Sequence, residues 1–137
     1  MDVWEGQRHM ESCRKSAELR ALGKRIIRDK FHWIRDQRIR VGFCYSDAEK
    51  KKGKRLTYAE CYKVQAIYKP WTPYDFVIVF YESVTDLLTD QQREILMEHE
   101  LMHIGIDEAG HLYIEQHDVE EFRPIIDKYG IDWAQID

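Results

Sequence analysis

The stretch "EHELMHIGI", residues 98–106, contains His99, Glu100 and His103 in the order HExxH. Residues four positions apart lie on one face of a helix, so both imidazoles can direct a ring nitrogen at one tetrahedral cation. Glu100 lies one step round from His99, where its carboxylate can take a proton from a water on that cation. Zinc lowers the pKa of such a water to about 7 and polarises a carbonyl, so the spacing predicts hydrolysis of an amide bond at neutral pH.

The alternative is a structural pair of histidines on an ordinary buried helix. Thr89 and Gln92 have the spacing of a capping box, which predicts a helix from about Asp90 to Ile104. The other side chains of this helix are largely apolar, so a glutamate and two histidines with no shared purpose would be costly to bury. This context favours a metal site.

A catalytic zinc site has three protein ligands and leaves one place for water. His117 is the first candidate for the third ligand, because alternation in "HLYIEQH" places it at a strand-to-helix corner. Glu120 and Glu121 are alternatives, since a helical glutamate can be the third ligand of zinc. The longer pattern HExxHxxGxxH is absent, because Ile106 and Ala109 stand where its glycine and histidine would fall.

Side chains near these candidates could support the reaction. Tyr113 or His111 could stabilise the oxyanion of a tetrahedral intermediate, although a tyrosine on such a strand can equally serve packing. Asp118 could orient a ligand imidazole, or cap a closing helix that runs to Tyr129.

The segments that must position this site predict an α+β fold with a small, mostly antiparallel sheet. Apolar residues at three- and four-residue steps predict a helix from Glu11 to Trp33. Alternating or continuous apolar runs predict strands at Arg38–Tyr45, Thr57–Tyr68 and Tyr74–Tyr81. The segment "SDAEKKKGKRL" reads as a hairpin loop between the first two strands, which would pair and could bring Cys44 opposite Cys61.

Length and composition favour a single domain in the cytoplasm. A chain of 137 residues can bury one core, so we expect one domain, with a helical region at 1–37 and the sheet and metal site at 38–137. No apolar run is long enough for a membrane span, and the N-terminal residues lack the apolar core of a secretory signal. Three cysteines without metal-ligand spacing suit a reducing compartment.

The net charge of −4 conceals a strong asymmetry between the two halves of the chain. Residues 1–70 carry a net charge of +9 and residues 71–137 carry −13. The basic half could bind nucleic acid, but no nucleic-acid fold motif accompanies it. We therefore favour a solvated helix face and a charged hairpin tip that pair with the acidic half. Trp33, Trp71 and Trp133 are likewise expected to anchor the core or its edges rather than stack on bases.

Two long segments resemble a known family. "YDFVIVFYESVTDLLTDQQREILMEHELMHIG" and "HLYIEQHDVEEFRPIIDKYG" are similar to the phage metallopeptidase family, which consists of small zincin-like domains of bacteriophage and prophage genomes. The similarity runs from about Val41 to Trp133 and extends more distantly to SprT-like metalloproteases. It implies a minimal zincin fold, a zinc ion on His99, His103 and His117, a catalytic Glu100, and a phage-infected or prophage-carrying bacterium as the host cell.

Two functions from different classes follow. The first is a zinc metallopeptidase that hydrolyses peptides or proteins through a metal-activated water, with Glu100 as general base. The alternative is a non-catalytic, zinc-stabilised binding module that uses its basic N-terminal half on DNA or a protein partner. A structural zinc site has four protein ligands and excludes water, whereas this sequence offers three and a glutamate suited to chemistry, which favours the enzyme.

Overall fold

The computed structural model describes residues 13–115, and its fold is α+β, as predicted. The strands are β1 (Cys13–Lys15), β2 (Val41–Ser46), β3 (Lys51–Lys52), β4 (Arg55–Leu56), β5 (Ala59–Lys63), β6 (Phe76–Tyr81), β7 (Ile104–Ile106) and β8 (Leu112–Ile114). The helices are α1 (Ala17–Lys30), α2 (His32–Asp36), α3 (Glu82–Thr85) and α4 (Asp90–Leu101), with a 3₁₀ turn at Ala66–Tyr68. Among the helices of the described residues, none is long and apolar enough to cross a bilayer.

The main sheet is mixed and has the strand order β1-β2-β6-β5. β2 and β6 run parallel, while β1 and β5 are antiparallel to their neighbours. β6 is central and all six of its residues are buried, which is why its sequence "FVIVFY" is continuously apolar. Two antiparallel ribbons, β3–β4 and β7–β8, complete the described strands.

The predicted pairing of the first two strands is wrong, because β6 lies between β2 and β5. Cys44 pairs with Val79 of β6 and Cys61 pairs with Ile78, so the two cysteines are on opposite faces of the sheet. The segment between β2 and β5 instead folds on itself as the β3–β4 hairpin, turned by Gly53 with φ +63°. The apolar β6 gains a partner on each edge by this order.

The prediction of one continuous helix from Glu11 to Trp33 is also wrong, because the described part of this segment contains a strand and two helices. Residues 13–15 form β1, and the Ser16 hydroxyl accepts a hydrogen bond from the Leu19 amide at 3.1 Å, which starts α1. The chain leaves the helix at Phe31 before α2 begins. Helical periodicity alone did not reveal that the helix starts after Ser16, because residues 13–15 fit a helix as well as an edge strand.

α1 and α4 pack on the same face of the sheet and enclose the core with it. The buried residues that these helices and the sheet contribute include Leu19, Ile26, Phe43, Tyr45, Phe76, Ile78, Phe80, Leu96, Met97 and Leu101. Trp33 packs against this core, as predicted. The same expectation for Trp71 is wrong: its side chain is 84% exposed in the turn between Pro70 and Pro73. Trp133 lies outside the described residues.

Part of the basic half pairs with acidic residues, as predicted. Lys30 of α1 lies 2.9 Å from Glu98 of α4, and Arg25 pairs with Glu94 on the same two helices. These exposed pairs contribute little stability individually but fix how α1 lies along α4.

Substituting Gly23 with alanine tests the close approach of α1 to the sheet. A Cβ there would lie 2.2 Å from the buried Phe43 ring. Alanine favours a helix by about 1 kcal/mol, but displacing a core ring costs about 1–3 kcal/mol, so we expect Gly23→Ala to lower the free energy of unfolding. Urea unfolding followed by circular dichroism measures it, with the exposed neighbour Lys24→Ala as control. A Gly23→Ala chain as stable as the control would contradict the packing.

Candidate metal centre

The helix α4 is fixed at its N-terminus by a complete capping box. The Thr89 hydroxyl accepts a hydrogen bond from the Gln92 amide at 3.1 Å, and the Gln92 side chain accepts one from the Thr89 amide at 2.9 Å. The predicted start at Asp90 is therefore confirmed. Burial of Ile95, Leu96, Met97 and Leu101 holds the helix on the sheet. The segment that carries His99 is thus anchored along its length.

The predicted end of this helix at Ile104 is wrong, because α4 ends at Leu101. The amide of His103 donates to the Glu100 carbonyl at 3.1 Å, which is a tightened last turn. Ile104 then begins β7, since Ile104 and Ile106 place alternate side chains against the core when β7 pairs with β8. His103 stands at the junction between helix and strand.

Three potential donor side chains converge at this junction. The ligand atoms of His99, Glu100 and His103 all lie within 4.8 Å of one another. The centroids of the two imidazole rings are 5.5 Å apart, and the ring planes are inclined by 80°. Glu100 is only 3% exposed and His103 only 6%, whereas His99 is partly open to solvent. The HExxH spacing therefore brings its donors together even though the helix stops before His103.

A backbone contact orients the His103 ring. Its Nδ1 lies 2.7 Å from the Glu115 carbonyl oxygen, and the Glu115 amide donates to the His103 carbonyl at 2.6 Å. A proton on Nδ1 that is donated to this carbonyl leaves the lone pair on Nε2, which is the tautomer of a metal-ligating histidine. Sequence reasoning missed Glu115, because the contact uses backbone atoms and the residue type carries no signal.

Cys61 of β5 lies near Glu100, which the sequence analysis also missed. Burial and, after it, the charge of Glu100 raise the pKa of the Cys61 thiol well above its usual value. Cys61 is therefore a neutral thiol at physiological pH. The alternation of β5 could have indicated which face Cys61 occupies, but only the sheet order places that face beside α4.

Tyr113 and His111, the candidates for oxyanion stabilisation, are both exposed on the β7–β8 ribbon. The Tyr113 ring lies over Gly105, and the nearby Glu115 carboxylate raises the pKa of the phenol. His111 lies 3.5 Å from Asp107. A role for either side chain in the reaction stays a prediction.

The donor set fits a transition-metal ion. Two imidazoles beside a carboxylate suit zinc and other first-row divalent cations. Within residues 13–115, His99, Glu100 and His103 form the group of three with metal-ligand spacing. The predicted third ligand His117, its alternatives Glu120 and Glu121, and Asp118 lie outside the described residues.

Comparison with known proteins bears on the whole chain. No curated protein and no solved structure matches it. Residues 10–136 match the sequence profile of a family described as "Putative phage metallopeptidase". The match begins before the region of similarity predicted from the sequence, so it includes β1, α1 and α4 together. Membership implies a bound metal ion and a peptide or protein substrate. Since the profile covers nearly the full length, the chain belongs to the phage metallopeptidase family.

Proposed function

We propose that this protein is a zinc-dependent peptidase in which His99 and His103 bind the metal and Glu100 is the general base. The observation that carries the proposal is the convergence of two imidazoles and a carboxylate within 4.8 Å at the junction between α4 and β7. Family membership supports the reaction class and the peptide or protein substrate. The phage association of the family supports action in the cytoplasm of a phage-infected or prophage-carrying bacterium.

The two histidines are held by different means. His99 belongs to the regular helix α4, whereas the His103 ring is oriented by the Glu115 carbonyl at 2.7 Å. Such support of a ligand imidazole fixes its rotamer and raises its basicity. Zinc bound there would lower the pKa of a coordinated water to about 7 and polarise the scissile carbonyl.

Glu100 carries the proton transfers in this proposal. Its carboxylate is nearly fully buried beside the imidazoles, where a cation would offset the cost of keeping it ionised. It accepts the proton of the attacking water and later donates it to the leaving amine. The neutral Cys61 thiol next to it adds no competing negative charge.

His117 is proposed as the third ligand. Glu115 is hydrogen-bonded to His103 through both its amide and its carbonyl, and His117 follows only two residues later in the sequence. Glu120 and Glu121 remain the alternatives. The match over residues 10–136 supports treating the chain as one domain.

Zinc content tests the ligand set. Elemental analysis of tag-free protein should give about one zinc per chain for the wild type, in the open three-ligand arrangement of catalytic zinc. His103→Ala and His117→Ala should each lose most of the metal. The control is His111→Ala, which removes an exposed histidine paired with Asp107 and should retain zinc. If His117→Ala retains zinc but Glu120→Ala or Glu121→Ala loses it, the third ligand is that glutamate and not His117.

Turnover of a Glu100→Gln variant tests the mechanism. The amide keeps the size of the side chain but cannot accept the proton, so zinc should stay bound while the rate falls by about a hundredfold or more. Zinc-loaded protein is incubated with a mixture of denatured proteins, and new N-termini are counted by mass spectrometry. Undiminished cleavage by Glu100→Gln would refute the assigned role of Glu100.

A further inference from the structure

A strongly cationic groove lies between α1, α2 and the start of β2. Its volume is about 860 Å³, and its floor is apolar, with Ile34, Ile39 and Phe43. Six arginines line it: Arg20, Arg25, Arg28, Arg35, Arg38 and Arg40. Lys24 adds a seventh cation, and no carboxylate occurs among the described residues that line the groove. We call this surface the arginine groove.

Most of these charges are not balanced by ion pairs with the residues that the structure describes. Arg25 pairs with Glu94, and Arg28 lies 3.0 Å from Asp29. The other groove cations form no ion pair with any residue in the described part of the chain: Arg20, Lys24, Arg35, Arg38 and Arg40. Within residues 13–115, the groove therefore holds cations that no described carboxylate neutralises.

One of these arginines occupies a backbone position that disfavours it. Arg38 has φ +59° where α2 ends. Its amide donates to the Arg35 carbonyl at 2.9 Å, and the next amide, of Ile39, donates to the Ile34 carbonyl at 3.0 Å. This closing pattern usually has glycine at the left-handed residue. Arg38 therefore places a further cation at the rim of the groove although glycine would suit its backbone better.

Two exposed aromatic side chains lie a few residues before the groove-lining Pro73 and Tyr74 in the sequence. Trp71 is 84% exposed, and the turn that carries it leads directly into Pro73 and Tyr74, which line the groove. Tyr68, in the preceding 3₁₀ turn, is also exposed. An exposed indole beside a cationic surface offers an aromatic face on which a planar ligand could stack.

The combination points to a particular polyanion. Arginine forks bind phosphate bidentately, and a cationic groove with adjacent aromatic rings is typical of single-strand binding, in which bases stack on the rings. A duplex keeps its bases stacked internally and would leave Trp71 without a base. We propose that the arginine groove binds the phosphates of single-stranded nucleic acid and that Trp71 stacks on one of its bases.

The proposed nucleic-acid binding uses other residues than the proposed peptidase site. The groove residues lie between positions 20 and 74, and none of them belongs to the group formed by His99, Glu100 and His103. Groove variants should therefore keep their zinc content.

The first test is fluorescence anisotropy of a labelled 20-nucleotide oligothymidine with the full chain over a range of salt concentrations. Paired substitutions Arg35→Gln and Arg40→Gln should weaken binding about tenfold and reduce the slope of log K against log salt by about 1.4, because each lost phosphate contact removes about 0.7. The matched control, Lys54→Gln with Arg55→Gln, removes the same charge from the exposed β3–β4 hairpin and should change affinity by no more than about twofold.

Two further variants separate binding from folding. Trp71→Ala should weaken binding about tenfold through the lost stacking, and in the wild type the oligonucleotide should quench tryptophan fluorescence. Arg38→Gly should weaken binding without lowering the thermal unfolding temperature, because glycine tolerates the left-handed backbone.

Several results would overturn the proposal. The hairpin control could lose as much affinity as the groove variant, which would make the binding a general charge effect. Polyglutamate could compete as well as the oligonucleotide, which would indicate an acidic polypeptide partner instead. A duplex of the same sequence could bind as tightly, with no effect of Trp71→Ala, which would exclude the single strand. Zinc content measured on the same variants keeps these outcomes separate from a failure of the peptidase proposal.

Discussion

Burial of α4 against the sheet is the constraint on which the candidate site depends. Met97 and Leu101 are completely buried, and Glu100 lies between them in the sequence, so it cannot be withdrawn from the interior without lifting the helix. A carboxylate in such a place is costly unless a cation or hydrogen bonds compensate for it. The apolar side chains thus do more than stabilise the fold, because they hold a carboxylate in a buried position beside two imidazoles.

The sequence predicted well those features that depend on neighbouring residues. The capping box of Thr89 and Gln92 is local, so the start of α4 was correct, and the run at Phe76–Tyr81 is so apolar that only a buried strand suits it. The end of α4 was misplaced, because Ile104 fits both the helical period and the alternation of a strand. Ile104 pairs with Ile114 of β8, so it belongs to a strand and not to the helix.

Other features were beyond sequence reasoning because they depend on distant pairing or on backbone atoms. Insertion of β6 between β2 and β5 is a topological choice, because it pairs Val41 of β2 with the distant Phe76 instead of with β5. The support of His103 by Glu115 uses a carbonyl that every residue possesses. Exposure of Trp71 likewise followed from its place in a turn, not from its residue type.

The three described donors and their backbone support lie within one short, contiguous stretch of the chain. The capping box, the converging side chains and Glu115 fall between residues 89 and 115, whereas the arginine groove draws on residues 20–74. The two surfaces therefore occupy different parts of the gene. Substitutions on the exposed side of the groove can therefore change its charge while the donor set stays intact, whereas the buried residues of α1 and β2 remain constrained because they pack in the same core as α4.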